Sequence, residues 1–464
     1  MQSSHAATAV DVVFDEPNLI ADAGLVPVVA LAEEIGLPAL VTDRVQIVGA
    51  PNSGGANAAA KVMSLLAGMV AGADSISDVD RLRHAGMGVA FGGVRAPSTT
   101  GTFLRSFSHG HVQQLSSVHR AALVELARAT PLLPGSETLV FVDIDSTHRR
   151  VYGYTKQGAA VGRLAGKRTL HPLLAVVSTP LARPVVAGIR MRRGRSADVR
   201  GAGRFVAETL ATVKSIGVTG TVVVRGDAKF YSADVVAACT RASAHVSFTT
   251  GSNPSVDAAI AAIPDQAWTA IHYPNAFVDE DTGELISDAE VAEVPYTAFT
   301  SRPKRWQVPG RLIVRRVKRL NPRSEAGQGE LFDVWRHHAV FTTSPFQTLQ
   351  AETHHRGHAV VEQVIADGKA SALAHLPSAS FQANAAWAVL WAIAHNLTRA
   401  AGVLASPFHA KATTATIRAH LVNAPARLAR RARRLTLHLP ERWPWQDAFT
   451  QLHAATHRPP PQAV

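Results

Sequence analysis

Cysteine is almost missing from this 464-residue chain, where Cys239 stands alone. A single thiol excludes an intramolecular disulfide and any cysteine-rich zinc module, and it fits a reducing compartment. Acid is scarce beside base: 35 Asp and Glu face 47 Lys and Arg, a formal net charge of +12. That balance points to a polyanionic partner, nucleic acid ahead of an acidic membrane surface. Long apolar runs are missing too. The nearest, Ala56 to Ala73, is rich in Ala and Gly, carries Lys61, and is marginal in length for a span, so it reads as a buried helix. The opening Met-Gln-Ser-Ser-His lacks the basic-then-apolar layout of a secretion signal.

What is present suffices for buried cores: 47% of the residues are hydrophobic, over a length that implies two or three domains. Residues 1–135 read as a helical region. Ala56 to Gly72 has the density of a packed helix, and Val112 to Thr130 carries apolar residues at helical spacing. Pro97-Ser98-Thr99-Thr100 looks like a helix start with a hydroxyl available as cap. Gly86 to Gly93 holds a Gly-x-Gly without a preceding strand, a weak nucleotide-loop pattern. Residues 136–250 alternate: strands are expected at Thr138–Ile144, Val151–Thr155 (as its hairpin partner), Leu170–Val177, Thr221–Val224 and His245–Thr250. Helices are expected at Ala197–Ile216 and Ser232–Arg241. In residues 251–345 the alternation lapses into an acidic stretch, Asp279 to Glu293, and strand-like composition at Val294–Phe299, Arg311–Val317 and Ala339–Thr343. That reads as a β-rich insertion. Helices resume near Gln350 and at Phe381–Ala400, within a segment 346–405. A basic end, 406–464, closes on Pro459-Pro460-Pro461, a frayed tail. The class is α/β around a mixed sheet, with side chains of function gathering at carboxyl ends of strands.

Three carboxylates occupy such places. Asp145 ends the run Phe-Val-Asp-Ile-Asp-Ser-Thr, Asp227 follows Val-Val-Val-Arg-Gly, and Glu362 lies on a helix seven residues before Lys369. Converging carboxylates can hold a pair of divalent cations, the apparatus of two-metal phosphodiester chemistry. Asp143 competes with Asp145, because both face one side of a strand; the strand-end position favours Asp145. On the helix, His355, His358, Glu362 and Lys369 share one stripe at about 100° per residue. This assigns Glu362 to a metal and His355, His358 and Lys369 to phosphate oxygens, with Arg356 off the stripe as a weaker phosphate contact. His354, His355 and His358 also raise a zinc reading, opposed by the absence of His-Glu-x-x-His. Three basic stretches can contact a duplex. Arg190 to Arg204 has six Arg against one Asp. Ser301 to Arg323 has nine Lys or Arg and no acid, including Arg305, Arg315 and Arg316, with Trp306 available to stack on a base. Lys411 to Arg434 has seven basic residues and no acid.

Asp143-Ile-Asp-Ser-Thr147, Arg225-Gly-Asp227 with Phe230-Tyr231, and Glu362-x6-Lys369 with Ala374-His375-Leu376-Pro377 together resemble the DDE-type bacterial insertion-sequence transposases, closest to the insertion-sequence 1380 family. The likeness runs over nearly the whole chain. The family signature places Tyr, Arg, Glu and Lys at spacings that fall here on His355, His358, Glu362 and Lys369, so the first two are substitutions. Gly368 inside the helix costs about 1 kcal/mol relative to Ala. The resemblance implies an RNase H-like mixed sheet flanked by helices, with the β-rich insertion between the second Asp and the Glu. The spacings agree, 82 residues between the Asp pair and 135 from Asp227 to Glu362. It also implies catalysis by Asp145, Asp227 and Glu362 with two Mg²⁺ ions, for which Mn²⁺ can substitute. Cutting at terminal inverted repeats and strand transfer would follow, with double-stranded DNA at the element ends and target as partner. A homodimer, a cytoplasmic, nucleoid-associated location, no membrane partner and element-end binding by residues 1–135 complete the expectation. Two other readings stay open: an RNase H-fold nuclease without strand transfer, and a catalytically silent, transposase-derived DNA-binding protein.

Overall fold

A computed structural model of the chain describes residues 9–50, 54–162, 164, 166–271, 289–318, 335–432 and 434–457. The Pro459–Pro461 tail and most of the acidic stretch expected at 279–293 lie outside the described residues. The contacts divide the chain into two compact units, Met1–Val118 with Ala370–Val464, and His119–Lys369.

The first unit is mainly helical, with a small three-stranded sheet of Leu19–Ile20, Ala426–Arg431 and Arg434–His438. Its axis is Phe381–Ala405, capped at its start by Ser380 and buried along nearly its whole length. Leu25–Glu34, Ala58–Ala71, Pro97–Arg105 and Gln446–Thr456 pack against that helix. Among the described residues it is the one continuous helix long and apolar enough to cross a membrane, and 89% of its apolar window is buried inside the protein. That is how a core helix behaves. Ala58–Ala71 is the buried helix that its Ala-rich composition predicts. Gly86 to Gly93 forms a five-residue helix, Gly86–Ala90, and the chain beyond it, directly preceded by the 3₁₀ turn Ser77–Arg83 instead of a strand.

The second unit is built on a nine-stranded mixed sheet. Its strands are β1 (Leu139–Ser146), β2 (Leu173–Thr179), β3 (Ala182–Arg190), β4 (Thr221–Gly226), β5 (His245–Thr249), β6 (Thr269–Ile271), β7 (Ala289–Ala298), β8 (Val308–Lys318) and β9 (Trp335–Thr342). They lie in the order β6-β7-β8-β9-β5-β4-β1-β2-β3. Within it, β1 pairs parallel with β4 and antiparallel with β2, β4 pairs parallel with β5, and β2 pairs antiparallel with β3. This is the strand arrangement of an RNase H-like core. The insertion does not form a separate layer. Its strands β7, β8 and β9 continue the same sheet through the antiparallel pair β9–β5.

Strand β1 is central, and its first six residues are buried without alternation, as a strand covered on both faces requires. Its antiparallel partner is β2. The hairpin expected at Val151–Thr155 does not form, and that segment is turn and irregular chain. A small three-stranded sheet of Arg149–Arg150, Arg168–Leu170 and Ala160–Val161 stands there instead. Helices of this unit include α1 (Ala202–Ile216), α2 (Ala233–Arg241, capped by Ser232), α3 (Thr348–Arg356) and α4 (Val360–Lys369). The helix predicted to run through residues 355–369 is therefore two helices. A 3₁₀ turn, Gly357–Ala359, separates α3 from α4. Helix α4 packs against β1, β2 and β3 through Val361, Val364, Ile365 and Gly368.

Candidate active site

The two strand-end aspartates are neighbours because their strands are. In the parallel β1–β4 pair, Asp143 stands opposite Arg225 and Ile144 opposite Gly226. Asp145 then lies at the end of β1, and Asp227 directly follows β4. The two candidates on β1 part company here. Asp143 is fully buried, and both of its oxygens accept from Arg225, Nε to Oδ1 and Nη2 to Oδ2, each at 2.7 Å. A charge buried in a sheet persists only when paired this way. Arg225 is itself 2% exposed, lies 3.7 Å from the Phe141 ring centroid and donates from Nη1 to the His354 carbonyl. The pair ties β1, β4 and the end of α3 together, with both Asp143 oxygens engaged and the side chain fully buried.

Asp145 is half-buried, and its Oδ1 accepts from the Ser146 amide at 2.6 Å. Burial pushes its carboxyl up to about 6, and the Asp227 and Glu362 carboxylates push the same way, against the pull of the Ser146 N–H and Lys229. Asp227 and Glu362 therefore both act electrostatically on Asp145. Asp227 is held differently. Its Oδ2 lies 3.2 Å from Lys229 Nζ and its Oδ1 3.5 Å from His358 Nε2. The His358 hydrogen bond and then Lys229 hold its carboxyl down to about 2, against burial. Glu362 sits exposed in the first turn of α4. Lys369, in the last turn, is near enough to Asp145 for the carboxylate to favour its charge, while burial and Arg149 oppose it.

The histidines divide. His358 Nδ1 faces the His355 carbonyl at 2.9 Å, and since a carbonyl only accepts, this nitrogen carries hydrogen. Its Nε2 faces the Asp227 carboxylate. The hydrogen bond to Asp227, and then that to the His355 carbonyl, raise the His358 pKa against burial. His355 is 7% exposed, with Nδ1 2.9 Å from Ser247 Oγ and Nε2 3.0 Å from Thr249 Oγ1, both on β5. Burial pushes its pKa down to about 3. With both nitrogens bound to hydroxyls, it pins α3 to the sheet, which corrects its expected phosphate contact. Arg356 is exposed and pairs with the buried Glu352, Nε to Oε1 at 2.7 Å. Among the described residues, no three or more His, Cys, Asp or Glu side chains form a group that could hold a metal ion. Asp145, Asp227 and Glu362 interact electrostatically but are not closed around one centre.

The insertion residues lie elsewhere on the sheet. Arg305 is exposed and Trp306 half-buried in the turn Lys304–Trp306 before β8. Arg315 is half-buried on β8. Arg316 pairs with Glu290 and is sandwiched 4.2 Å from the Trp268 centroid and 4.4 Å from that of Trp335, so it is a packed ion pair instead of an open phosphate contact. Residues 319–323 of that basic stretch lie outside the described residues. Within Arg190–Arg204, Arg190 and Arg204 both pair with Glu208, and Arg192 is buried against the carbonyls of His171, Ala197 and Asp198.

Several contributors carry little or no mark in the sequence. Lys229 and Arg225 flank Asp227 in the chain, and that nearness is the one signal they give. Asp198, the one acid in a run of six arginines, accepts from Ser146 Oγ at 2.6 Å, and His171 Nε2 lies 3.0 Å from the same hydroxyl. These buried groups fix the residue beside Asp145. Asp198 stands out as the odd sign in its run; His171 has no comparable mark.

Comparison with known proteins adds three findings. A family model described as transposase DDE domain group 1 matches residues 2–460. No curated protein matches the chain. Among solved structures, a cryo-EM structure of the piggyBac transposase synaptic complex with hairpin DNA is similar, at 10% identity and a TM-score of 0.42, covering 87% of this chain and 80% of that one.

Proposed function

The chain belongs to the DDE transposase family, and from that premise we propose that it cuts DNA at the terminal inverted repeats of an insertion sequence and joins the ends to target DNA. The subfamily is the bacterial insertion-sequence 1380 group, on the motif spacings given above. Asp145, Asp227 and Glu362 carry the reaction. The observation behind this assignment is the Asp145 carboxyl, raised to about 6 by its burial and by the other two carboxylates. A buried carboxylate that other carboxylates repel is what a bound cation relieves. Three carboxylates are also the hard oxygen donors that Mg²⁺ accepts, and they fit it in kind. Bound there, two Mg²⁺ ions, or Mn²⁺, would supply an activated attacking oxygen and a stabilised leaving oxygen.

The chain's own groups do the rest. Asp143 and Arg225 hold β1 and β4 in register, so the Asp pair keeps its spacing. The Arg225 hydrogen bond to the end of α3 fixes where α4, and so Glu362, begins. Lys369, a cation beside Asp145, and Arg149 next to Lys369 attract and orient the scissile phosphate. His358 supplies positive charge next to Asp227, in the place where the family signature has Arg, and keeps that carboxylate ionised. Double-stranded DNA is the substrate, a homodimer brings two element ends together, and the location is cytoplasmic and nucleoid-associated. The region 1–135 is assigned to end binding, 136–250 and 346–405 to the catalytic core, 251–345 to its insertion, and 406–464 to non-specific DNA contact.

A catalytically silent descendant that only binds DNA draws on one observation: both Asp227 oxygens already face cations, Lys229 and His358. Labelled element-end DNA with Mg²⁺ or Mn²⁺ decides between the two. Wild type should nick it, and Asp145→Asn, Asp227→Asn and Glu362→Gln should not. Equal cleavage by all four proteins would reject the catalytic assignment, and binding without cleavage by wild type would favour the silent one.

A further inference from the structure

The helical unit contains a cavity of about 320 Å³, at the small end of ligand-site volumes, lined by Gly54, Lys61, Arg95, Ser98, Thr99 and Thr102 among others. Its lining carries two cations and no carboxylate. Lys61 is 5% exposed and donates from Nζ to the Gly54 carbonyl at 2.9 Å. The Arg95 Nε is buried without a hydrogen-bond partner among the described residues. Burial and then the nearby Arg95 charge lower the Lys61 pKa. Two like charges on one cavity wall, beside an unsatisfied guanidinium donor, favour an anion there.

The helix Pro97–Arg105 delivers more donors to the same cavity. The hydroxyl cap expected from its sequence does not form: the capping position is Ala96, and no side chain caps the helix. Pro97 has no N–H, so the next donors are the amides of Ser98 and Thr99, whose residues line the cavity. Amides in the first turn of a helix have no intrahelical partner and carry partial positive charge.

We propose that this cavity is a phosphate site that takes one phosphodiester of the element-end DNA backbone. The choice of DNA as source rests on the function proposed above; the phosphate chemistry does not. Phosphate, with several acceptor oxygens and a negative charge, satisfies the Arg95 Nε, the amides and Lys61 at once.

Full-length protein titrated with inorganic phosphate, followed by ³¹P line broadening, tests the chemistry without DNA. Wild type should bind, and Arg95→Gln should weaken binding at least tenfold. Lys61→Met should do the same; should it fail to fold, the half-buried Arg95 keeps the test intact. The DNA arm measures affinity for element-end duplex against salt. Losing one phosphate contact should make the slope of log K on log salt shallower by about 0.9. Unchanged phosphate binding in Arg95→Gln overturns the site. Lost phosphate binding with an unchanged salt slope overturns the DNA assignment in favour of a free phosphorylated compound. Neither readout depends on nicking, so the site can fail while the Asp145 assignment stands, and the reverse.

Discussion

Asp145→Asn should stabilise the metal-free protein at the same time as it abolishes cleavage. The folded Asp145 carboxyl sits at about 6, raised by burial and by Asp227 and Glu362, where an unperturbed one sits at 3.8. A folded value raised above the unfolded one means that ionisation costs stability. The carboxyl is neutral in both states below 3.8, and the penalty grows as pH rises from there to 6 and is then complete. A rise of that size corresponds to about 3 kcal/mol, which solvent around a half-buried side chain reduces to roughly 1–2 kcal/mol. Asn removes the charge and keeps an oxygen to accept from the Ser146 amide, so its own structural cost is small. Urea unfolding in EDTA at pH 8 should therefore give a more stable Asp145→Asn, and the difference should shrink toward nothing by pH 4. Millimolar Mg²⁺ at pH 8 should stabilise wild type, as any ligand of the native state does, and leave the variant almost unmoved. An Asp145→Asn protein that is less stable than wild type in EDTA at pH 8 would refute the reasoning, because no mutual repulsion would then exist for a cation to relieve.

Arg225→Met leaves the fully buried Asp143 carboxylate without its two 2.7 Å partners and should cost about 3–5 kcal/mol in urea unfolding, whereas Asp143→Leu/Arg225→Met together should recover most of it; a loss under about 1 kcal/mol in the single variant would contradict the structural role. His355 is held neutral, with a pKa near 3 in the folded state against about 6.5 unfolded, so acid is taken up only on unfolding. Its contribution is intact above pH 6.5 and is lost at about 1.4 kcal/mol per pH unit below it, and comparing wild type with His355→Leu between pH 7 and 4 should show the slope flatten in the variant. Gly357→Ala would set a methyl 3.1 Å from Arg225 Nη1, and should lower the nicking rate several-fold by shifting the guanidinium and the start of α4, with DNA affinity little changed.

The core of the fold is legible where one physical cause dominates. Strands β1, β4 and β5 are short apolar runs bounded by turn residues, and a run buried on both faces admits few alternatives. Strand β3 is hidden from pattern because Pro180 and Pro184 interrupt its approach and its body. Its place explains why they are tolerated, since β3 is the outer strand of the sheet, where an absent N–H need not break a ladder. The hairpin expected at Val151–Thr155 fails for the converse reason: the run has β-forming residues, but beyond the buried Val151 all of them are exposed, Tyr152 and Tyr154 included. Adjacency in the chain is not adjacency in the sheet.

The candidate site is legible in its carboxylates and illegible in its cations. Asp145 and Asp227 announce themselves by ending apolar strands. The histidine stripe relies on one unbroken helix at about 100° per residue, and the 3₁₀ turn at Gly357–Ala359 advances the chain by about 120° per residue. Over three residues that is a phase error of about 60°, enough to send His355 into the β5 hydroxyls and leave His358 at Asp227. Gly357 is visible in the sequence, but the reason for a break there is not, because it is tertiary: the Arg225 guanidinium, 129 residues away, donates to the carbonyl of His354 at the end of α3. The same arginine decides between Asp143 and Asp145. Both point to one side of β1, so periodicity cannot separate them, and only the partner supplied by the neighbouring strand does. One buried guanidinium thus engages Asp143 and also bonds the end of α3, just before the helix that carries Glu362. A catalytic site spread over three distant segments holds its geometry through such a group, whose importance no local pattern records.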